Sequence, residues 1–244
     1  MKPSILGIIP VRLNSSRLPR KALADIGGKS MIQRVWEQAI QSKIDEVIIA
    51  TDSREIAVHC GKFQGRVEMT DSTHLSGTCR CTEIAERFSY DFYINIQGDE
   101  PFIPVGLLNQ VVDWIWSSYA DLQVGTVAST RCTKEDWLNP NVVKAVTTAD
   151  GVALYFSRSP LPYFREGYQP GVVLKHLGLY IYNNISLARY SLLGEGLLER
   201  HEKLEQLRWL ENGIPVRIMR TSFESFGIDT PEELLEACKK VLLI

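Results

Sequence analysis

Short runs of β-branched and other apolar residues alternate, along the first half of the chain, with stretches that are apolar on one side only. The runs are Ile5 to Pro10, Val47 to Thr51, Val67 to Thr70 and Phe92 to Ile96. Strands that are apolar on both faces belong in a mostly parallel sheet covered by helices. Between them, Met31 to Ser42, Arg54 to Phe63 and Thr82 to Phe88 read as amphipathic crossover helices, giving a β-α-β-α-β-α-β series. The pattern predicts an α/β fold built on a doubly wound, mostly parallel sheet.

Beyond Pro101-Phe102-Ile103-Pro104 the pattern changes. A helix over about Val105 to Tyr119 leads into strand segments Val124 to Thr130, Val142 to Thr148, Val152 to Ser157 and Leu177 to Tyr182. The turns Asn139-Pro140-Asn141 and Asp150-Gly151 point to hairpins and mixed-sheet edges, a smaller region expected to supply specificity. Glu202 to Glu211 reads as one helix, Val216 to Thr221 as a strand, and Thr230-Pro231-Glu232-Glu233 as a capped helix start. No repeat, low-complexity tract or flexible linker divides the chain, so residues 1–244 are expected to form a single domain.

Charge and cysteine content narrow the function classes. The 27 basic and 29 acidic residues nearly cancel, which argues against nucleic acid or an anionic membrane as partner. No apolar stretch approaches the roughly 20 residues that a bilayer requires, and no signal core follows the amino terminus, so a cytoplasmic location is expected. The odd count of five cysteines fits reduced thiols. Cys79, Cys81 and His74 are too few and too tightly spaced for a structural zinc site. Trp36, Trp114, Trp116, Trp137 and Trp209 read as core or interface, not as a stacking platform.

Two loops carry the chemistry. Gln97-Gly98-Asp99-Glu100-Pro101 follows the fourth strand pattern, where the carboxyl ends of parallel strands meet ligands, and Asp99 is placed to hold a divalent metal. The loop after the first strand brings Arg12, Arg17, Arg20 and Lys21 together, a concentration of charge that a polyphosphate would relieve. Gly28-Lys29-Ser30 looks like the end of a phosphate-binding loop. Leu23 stands where that motif needs its first glycine, however, so it is read as a turn and helix start. Ser76-Gly77-Thr78 at a helix start offers backbone N–H groups to a nucleotide or is an ordinary cap. Asp229 alone would read as a helix-start residue, His176 as a satisfied core histidine, and Glu205-Gln206 as a solvated helix face.

The order of motifs changes these readings. Pro10-Val11-Arg12 through Ser16-Arg17-Leu18-Pro19-Arg20-Lys21 is followed by Ser76-Gly77-Thr78-Cys79-Arg80, Gln97-Gly98-Asp99-Glu100-Pro101 and Tyr155-Phe156-Ser157-Arg158. Lys175-His176-Leu177-Gly178, Leu204-Glu205-Gln206-Leu207-Arg208 and Gly227-Ile228-Asp229-Thr230-Pro231 complete the series. Over essentially the whole chain this resembles the 3-deoxy-manno-octulosonate (Kdo) cytidylyltransferases, or CMP-Kdo synthetases. Val11, Arg20 and Ala22 stand where that family usually has alanine, glycine and proline, and Cys79 where an acid is frequent.

The resemblance implies a nucleotide-diphospho-sugar transferase-like fold and attack of the anomeric hydroxyl of a 3-deoxy-ulosonic acid on the α-phosphate of CTP, for lipopolysaccharide or capsule synthesis. It implies Lys21, Asp99 and Asp229 as catalytic, with Mg²⁺ held by the two aspartates. Pro10, Arg12, Ser16, Arg17, Lys21, Ser76, Gly77 and Arg80 would bind the nucleotide, and Arg80, Gln97, His176, Glu205 and Gln206 the sugar. A homodimer is implied as well, with residues 1–120 as the CTP half and 121–244 as the sugar and dimer half. The alternatives are a sister enzyme for sialic acid or an amino-substituted octulosonate, which Glu100 disfavours, a sugar 1-phosphate nucleotidyltransferase, which would show a glycine-rich first loop, and a non-catalytic sensor.

Overall fold

The computed structural model describes residues 2–15, 17–74 and 76–241. Strand β1 (Ile5–Val11) lies between β4 (Glu46–Thr51) and β6 (Phe92–Asn95), parallel to both, and β5 (Val67–Met69) adds outside β4 in the same direction. A small hairpin, β2 (Asp25–Ile26) with β3 (Lys29–Ser30), precedes α1 (Met31–Ile40). Ser30 caps that helix by accepting from the Gln33 N–H, so Gly28-Lys29-Ser30 is a turn and a helix start. Helix α2 (Arg54–Gly61) crosses from β4 to β5, and α3 (Gly77–Arg87) from β5 to β6.

The sequence pattern placed the start of α3 at Thr82. The helix begins at Gly77 because Ser76 accepts the N–H of Cys79, and its first turn is polar on the side that faces the ligand cleft, which hides the helical period.

Helix α4 (Val105–Ser118) leads to β7 (Val124–Ser129). A short helix α5 (Lys134–Leu138), too brief to show a period, ends in the Asn139 turn and precedes the hairpin of β8 (Lys144–Thr147) and β9 (Ala153–Ser157). Strand β10 (Leu174–Asn183) follows, then α6 (Asn184–Tyr190), α7 (Leu197–Glu202), α8 (Leu207–Glu211), β11 (Val216–Thr221) and α9 (Pro231–Val241). Among the described residues one nine-stranded sheet holds β11-β7-β10-β6-β1-β4-β5 in that order, with β8 and β9 joined to it through β10.

Two expectations are corrected here. The segment read as Leu177 to Tyr182 at a sheet edge is a ten-residue strand in the middle of the sheet, antiparallel to both β6 and β7. Its apolar run is the signature of burial on both faces, and the nearby hairpin turns masked that signal. The single helix read over 202–211 is two short helices, because Lys203 takes a left-handed backbone with φ 55° that ends α7.

The sheet has apolar residues on both sides. On one face Ile5, Ile9, Ile49 and Ile94 pack beneath Val35 of α1, Ile56 of α2 and Val111 of α4. On the other, Leu6, Ile8, Ile48 and Tyr93 meet Ile84 of α3, Leu187 of α6 and Trp209 of α8. Each such fully buried side chain stabilises the fold by roughly 1.5–3 kcal/mol, and together they hold the carboxyl ends of β1, β4 and β6 at one rim.

Candidate active site

The loops leaving β1 and β6 open a cleft of about 620 Å³. Its floor is the end of β1 and the Gln97-Gly98-Asp99 turn; its sides are Arg12, Asn14, Ser15, Arg17, Lys21 and Ala22, the amino end of α3, the Glu195 to Glu205 segment around α7, and Asp229. The turn comes close to β1: a side chain at residue 98 would overlap Val11 and meet the Pro10 carbonyl, so only glycine lets Gln97 and Asp99 flank the floor.

At the centre stands Lys21. Its Nζ donates to Asp99 Oδ2 at 2.6 Å and to Asp229 Oδ1 at 2.7 Å. Burial withdraws hydration from the ammonium, but the two carboxylates outweigh that loss and hold its pKa above the ordinary lysine value. The acids come from different loops, and the Ile228 N–H donates to the Asp99 carbonyl at 2.9 Å, tying one loop to the other.

Asp229 is not the cap of α9. Glu233 accepts from the backbone N–H groups of Asp229 and Thr230 at 2.6 and 3.0 Å, and Thr230 Oγ1 accepts from Glu233 N at 3.3 Å. The helix start is satisfied by its own side chains, which leaves the Asp229 carboxylate to Lys21 and to Arg17, 2.8 Å away.

The other cations of the loop divide. Arg12 lines the cleft, whereas Arg20 turns away to pair with Glu55 of α2. Ser16 lies outside the described residues. Among the described residues no cluster of three or more His, Cys, Asp or Glu side chains is arranged to hold a metal. Two hard carboxylate oxygens nonetheless converge on a single cationic position, a donor set suited to Mg²⁺, which takes one or two carboxylates and completes its shell with phosphate oxygens and waters.

On the opposite side of the cleft, Ser76 spends its hydroxyl on capping α3, with Gly77 beside it at the rim. Arg80 is buried, donating to Thr70 Oγ1 and lying 3.3 Å from Asp52. Gln97 donates to the Gly178 carbonyl at 2.9 Å, where the register of β10 shifts. Glu205 lines the cleft and accepts from Tyr190 at 3.4 Å.

His176 and Gln206 are not among the residues lining the cleft. The His176 ring packs between Phe156 and Tyr180 with its Nε2 2.8 Å from Thr126 Oγ1, and burial pushes its pKa down to about 3. Gln206, at 2% exposure, accepts from Tyr180 at 2.8 Å, and among the described residues neither its Nε2 nor either amide atom of buried Asn95 has a partner. His74 faces Glu83 at 2.6 Å and Cys81 points into the core, so neither shares a site with Cys79.

A family model described as cytidylyltransferase matches residues 6–223. The 3-deoxy-manno-octulosonate cytidylyltransferase of Trichlorobacter lovleyi is 45% identical over 97% of this chain and 98% of its own, and that of Geobacter sulfurreducens 43% over 98% and 99%. The chain belongs to the 3-deoxy-manno-octulosonate cytidylyltransferase family. A solved CMP:2-keto-3-deoxy-manno-octonic acid synthetase complexed with CTP superposes with a TM-score of 0.93 at 37% identity, covering 98% of this chain and 99% of that one. A 4-diphosphocytidyl-2C-methyl-D-erythritol synthase from Anaerococcus prevotii, at 13% identity and a TM-score of 0.64, shares the fold over 98% of this chain and 99% of its own.

The positions at which this cytidylyltransferase departs from its family's usual residues have local accounts. Arg20, where glycine is usual, adopts φ 57°, a left-handed backbone that strains a side chain by roughly 1–2 kcal/mol. Val11 packs against Gly98, and Ala22 is buried beside Lys21. Cys79 sits on the first turn of α3, 3.4 Å from Ser76 Oγ.

Sequence reasoning missed the acidic wall of the cleft. Glu195 and Glu199 line it, and Glu199 grips Arg208 through two 2.7 Å bonds. The available signal was the Gly196-x-x-Glu199 spacing of a helix start, visible only once α7 is separated from α8.

Proposed function

We propose that the protein catalyses cytidylyl transfer from CTP to the anomeric hydroxyl of 3-deoxy-manno-octulosonate, releasing pyrophosphate. The observation that carries this reading is the convergence of Lys21, Asp99 and Asp229 at the end of a cleft rimmed by Arg12 and Arg17, in a chain that superposes on a CTP-complexed synthetase. A transfer of this kind is largely alignment and charge neutralisation.

Arg12 and Arg17 hold the nucleotide's phosphates, Pro10, Ser76 and Gly77 complete the nucleotide side of the cleft, and Ser16, outside the described residues, is assigned to the nucleotide as well. Lys21 places its charge against the departing pyrophosphate. Asp99 and Asp229 hold Mg²⁺, which when bound offsets phosphate charge and lowers the pKa of the attacking hydroxyl. On this reading the transfer needs no dedicated side-chain base.

Arg80 takes the sugar carboxylate, with Gln97 and Glu205 receiving hydroxyls. His176 and Gln206 act on the sugar side through Tyr180, to which one is packed and the other hydrogen-bonded. Residues 1–120 mainly serve CTP and 121–244 mainly the sugar, but both halves share one sheet, Arg80 and Gln97 of the first half face the sugar in this reading, and Asp229 reaches back across the division.

A homodimer is part of the proposal: Leu154, Tyr163 and Val172, near the β8–β9 hairpin and the segment after it, are 60, 86 and 51% exposed. Among the described residues no helix is long and apolar enough to cross a membrane, compatible with work in the cytoplasm on soluble precursors of lipopolysaccharide or capsule.

Glu100 accepts from Ser225 and lies beside Gly178, and it is not among the residues lining the cleft. The test is pyrophosphate release from CTP across a panel of 3-deoxy-manno-octulosonate, its 8-amino analogue and sialic acid. The plain octulosonate is expected to give the highest kcat/KM. Preference for either competitor would overturn the sugar assignment, and no release with any acid the transfer itself.

A further inference from the structure

Lys21 is held where a metal would have to go. Its ammonium lies 2.6 Å from Asp99 and 2.7 Å from Asp229, with a side chain only 15% exposed. Two carboxylates aimed at one point repel each other unless a cation stands between them. Here the lysine supplies that cation, and Arg17 supplies a second at the other oxygen of Asp229. The two acids are thereby neutralised by the chain's own side chains.

A divalent cation coordinated by the same pair of oxygens needs the space that Nζ fills. Adding it with Lys21 and Arg17 in place would leave an excess of positive charge in a partly buried cleft, which is unfavourable. A nucleotide's phosphates would bring the negative charge that receives displaced cations, and Arg12 and Arg17 line the same cleft as Lys21.

We propose that Lys21 is an exchangeable counter-ion: it keeps Asp99 and Asp229 converged, leaves the space between them as metal enters, and turns its charge onto the nucleotide. This rests on the reading of Asp99 and Asp229 as the metal-holding pair. It makes Lys21 a positioning residue for the metal as well as a phosphate contact. Metal alone is then a poor ligand, and metal arriving with nucleotide a good one.

The test reads metal binding directly, without turnover. Mn²⁺ is titrated into the full-length protein in the absence of nucleotide, and free Mn²⁺ is followed by its paramagnetic resonance signal. The proteins are wild type, Lys21→Met, Lys21→Gln, Asp99→Asn and Lys21→Met with Asp99→Asn, each checked for folding by circular dichroism. Glutamine keeps a donor between the acids without the charge, so it serves if the methionine variant does not fold.

Removing the charge is expected to tighten Mn²⁺ binding by about tenfold or more, and adding Asp99→Asn is expected to abolish the gain. Equal or weaker binding by the folded lysine variants, with Asp99→Asn still lowering affinity, would overturn the exchange while leaving the metal pair standing. Tight binding that Asp99→Asn does not touch would overturn the metal pair, and the exchange with it.

Discussion

Lys21 and Lys144 are both withdrawn from water, and the difference in their surroundings separates the working end of the molecule from its scaffold. Lys144, on β8 and fully buried, donates to three backbone carbonyls: Asn139 at 2.8 Å, Val142 at 2.6 Å and Arg158 at 2.6 Å. Those acceptors are neutral and fixed by the chain, so burial lowers its pKa and the ammonium clamps the Asn139 turn to the end of β9. Lys21 meets two carboxylates instead, and its pKa rises despite burial. A buried cation among carbonyls has nowhere else to go. One held between two carboxylates that also suit a metal is, as proposed, exchangeable, and the same residue type then becomes chemistry rather than architecture.

The largest effect is expected from Asp99→Asn, which removes a hard anionic oxygen while leaving Lys21 its bond to Asp229. Turnover should fall roughly a thousandfold in a protein that still melts cooperatively, as steady-state pyrophosphate release and calorimetry would show. The comparison itself is sharpened by making the same substitution at both lysines. Lys21→Met should lower kcat roughly a hundredfold, more than it weakens CTP binding, with a smaller loss of stability than at Lys144, because Asp99 and Asp229 lose the cation between them but stay partly exposed to water. Lys144→Met should do the reverse, costing about 2–3 kcal/mol in urea unfolding because three carbonyls lose their donor, with kcat per folded molecule near wild type. If Lys144→Met struck turnover and Lys21→Met stability, the division between scaffold and working end would be wrong.

A smaller effect is expected behind the acceptor side. His176→Ala and Gln206→Ala should each raise the KM for the sugar by about tenfold and leave that for CTP unchanged; wild-type acceptor kinetics in both would remove them from recognition.

The smallest effect is in the alkaline limb of stability. Lys21, with its folded pKa raised above 10.5, contributes stability that is complete below that value and is lost as pH rises through the folded pKa. Lys144, lowered from 10.5, binds fewer protons folded than unfolded over the window below that value, so its contribution grows with pH there. Urea midpoints at increasing alkaline pH should therefore shift in opposite senses when each lysine becomes methionine.

Much of this was legible in the chain. The parallel strands around β1 were written in runs apolar on both faces, and the Gln97-Gly98-Asp99 turn was written at the end of one of them. The position of β10 was not, because a strand's neighbours depend on pairings far away in sequence, and hairpin turns nearby argued for an edge. The break at Lys203 was hidden because a lysine in a left-handed backbone carries no turn signature. Asp229 was ambiguous for a physical reason: whether an acid before Thr-Pro caps a helix depends on whether Glu233 already does so, and only the geometry decides that.

The central claim, that Lys21, Asp99 and Asp229 form the centre of a cytidylyl transfer to 3-deoxy-manno-octulosonate, is tested most directly by phosphorus NMR of CTP and that sugar with Mg²⁺. Wild type should convert the three nucleotide signals into one phosphodiester signal and one pyrophosphate signal of twice its intensity, and folded Asp229→Asn protein should leave CTP intact over the same time. Release of inorganic phosphate in place of pyrophosphate, or equal conversion by the variant, would contradict it.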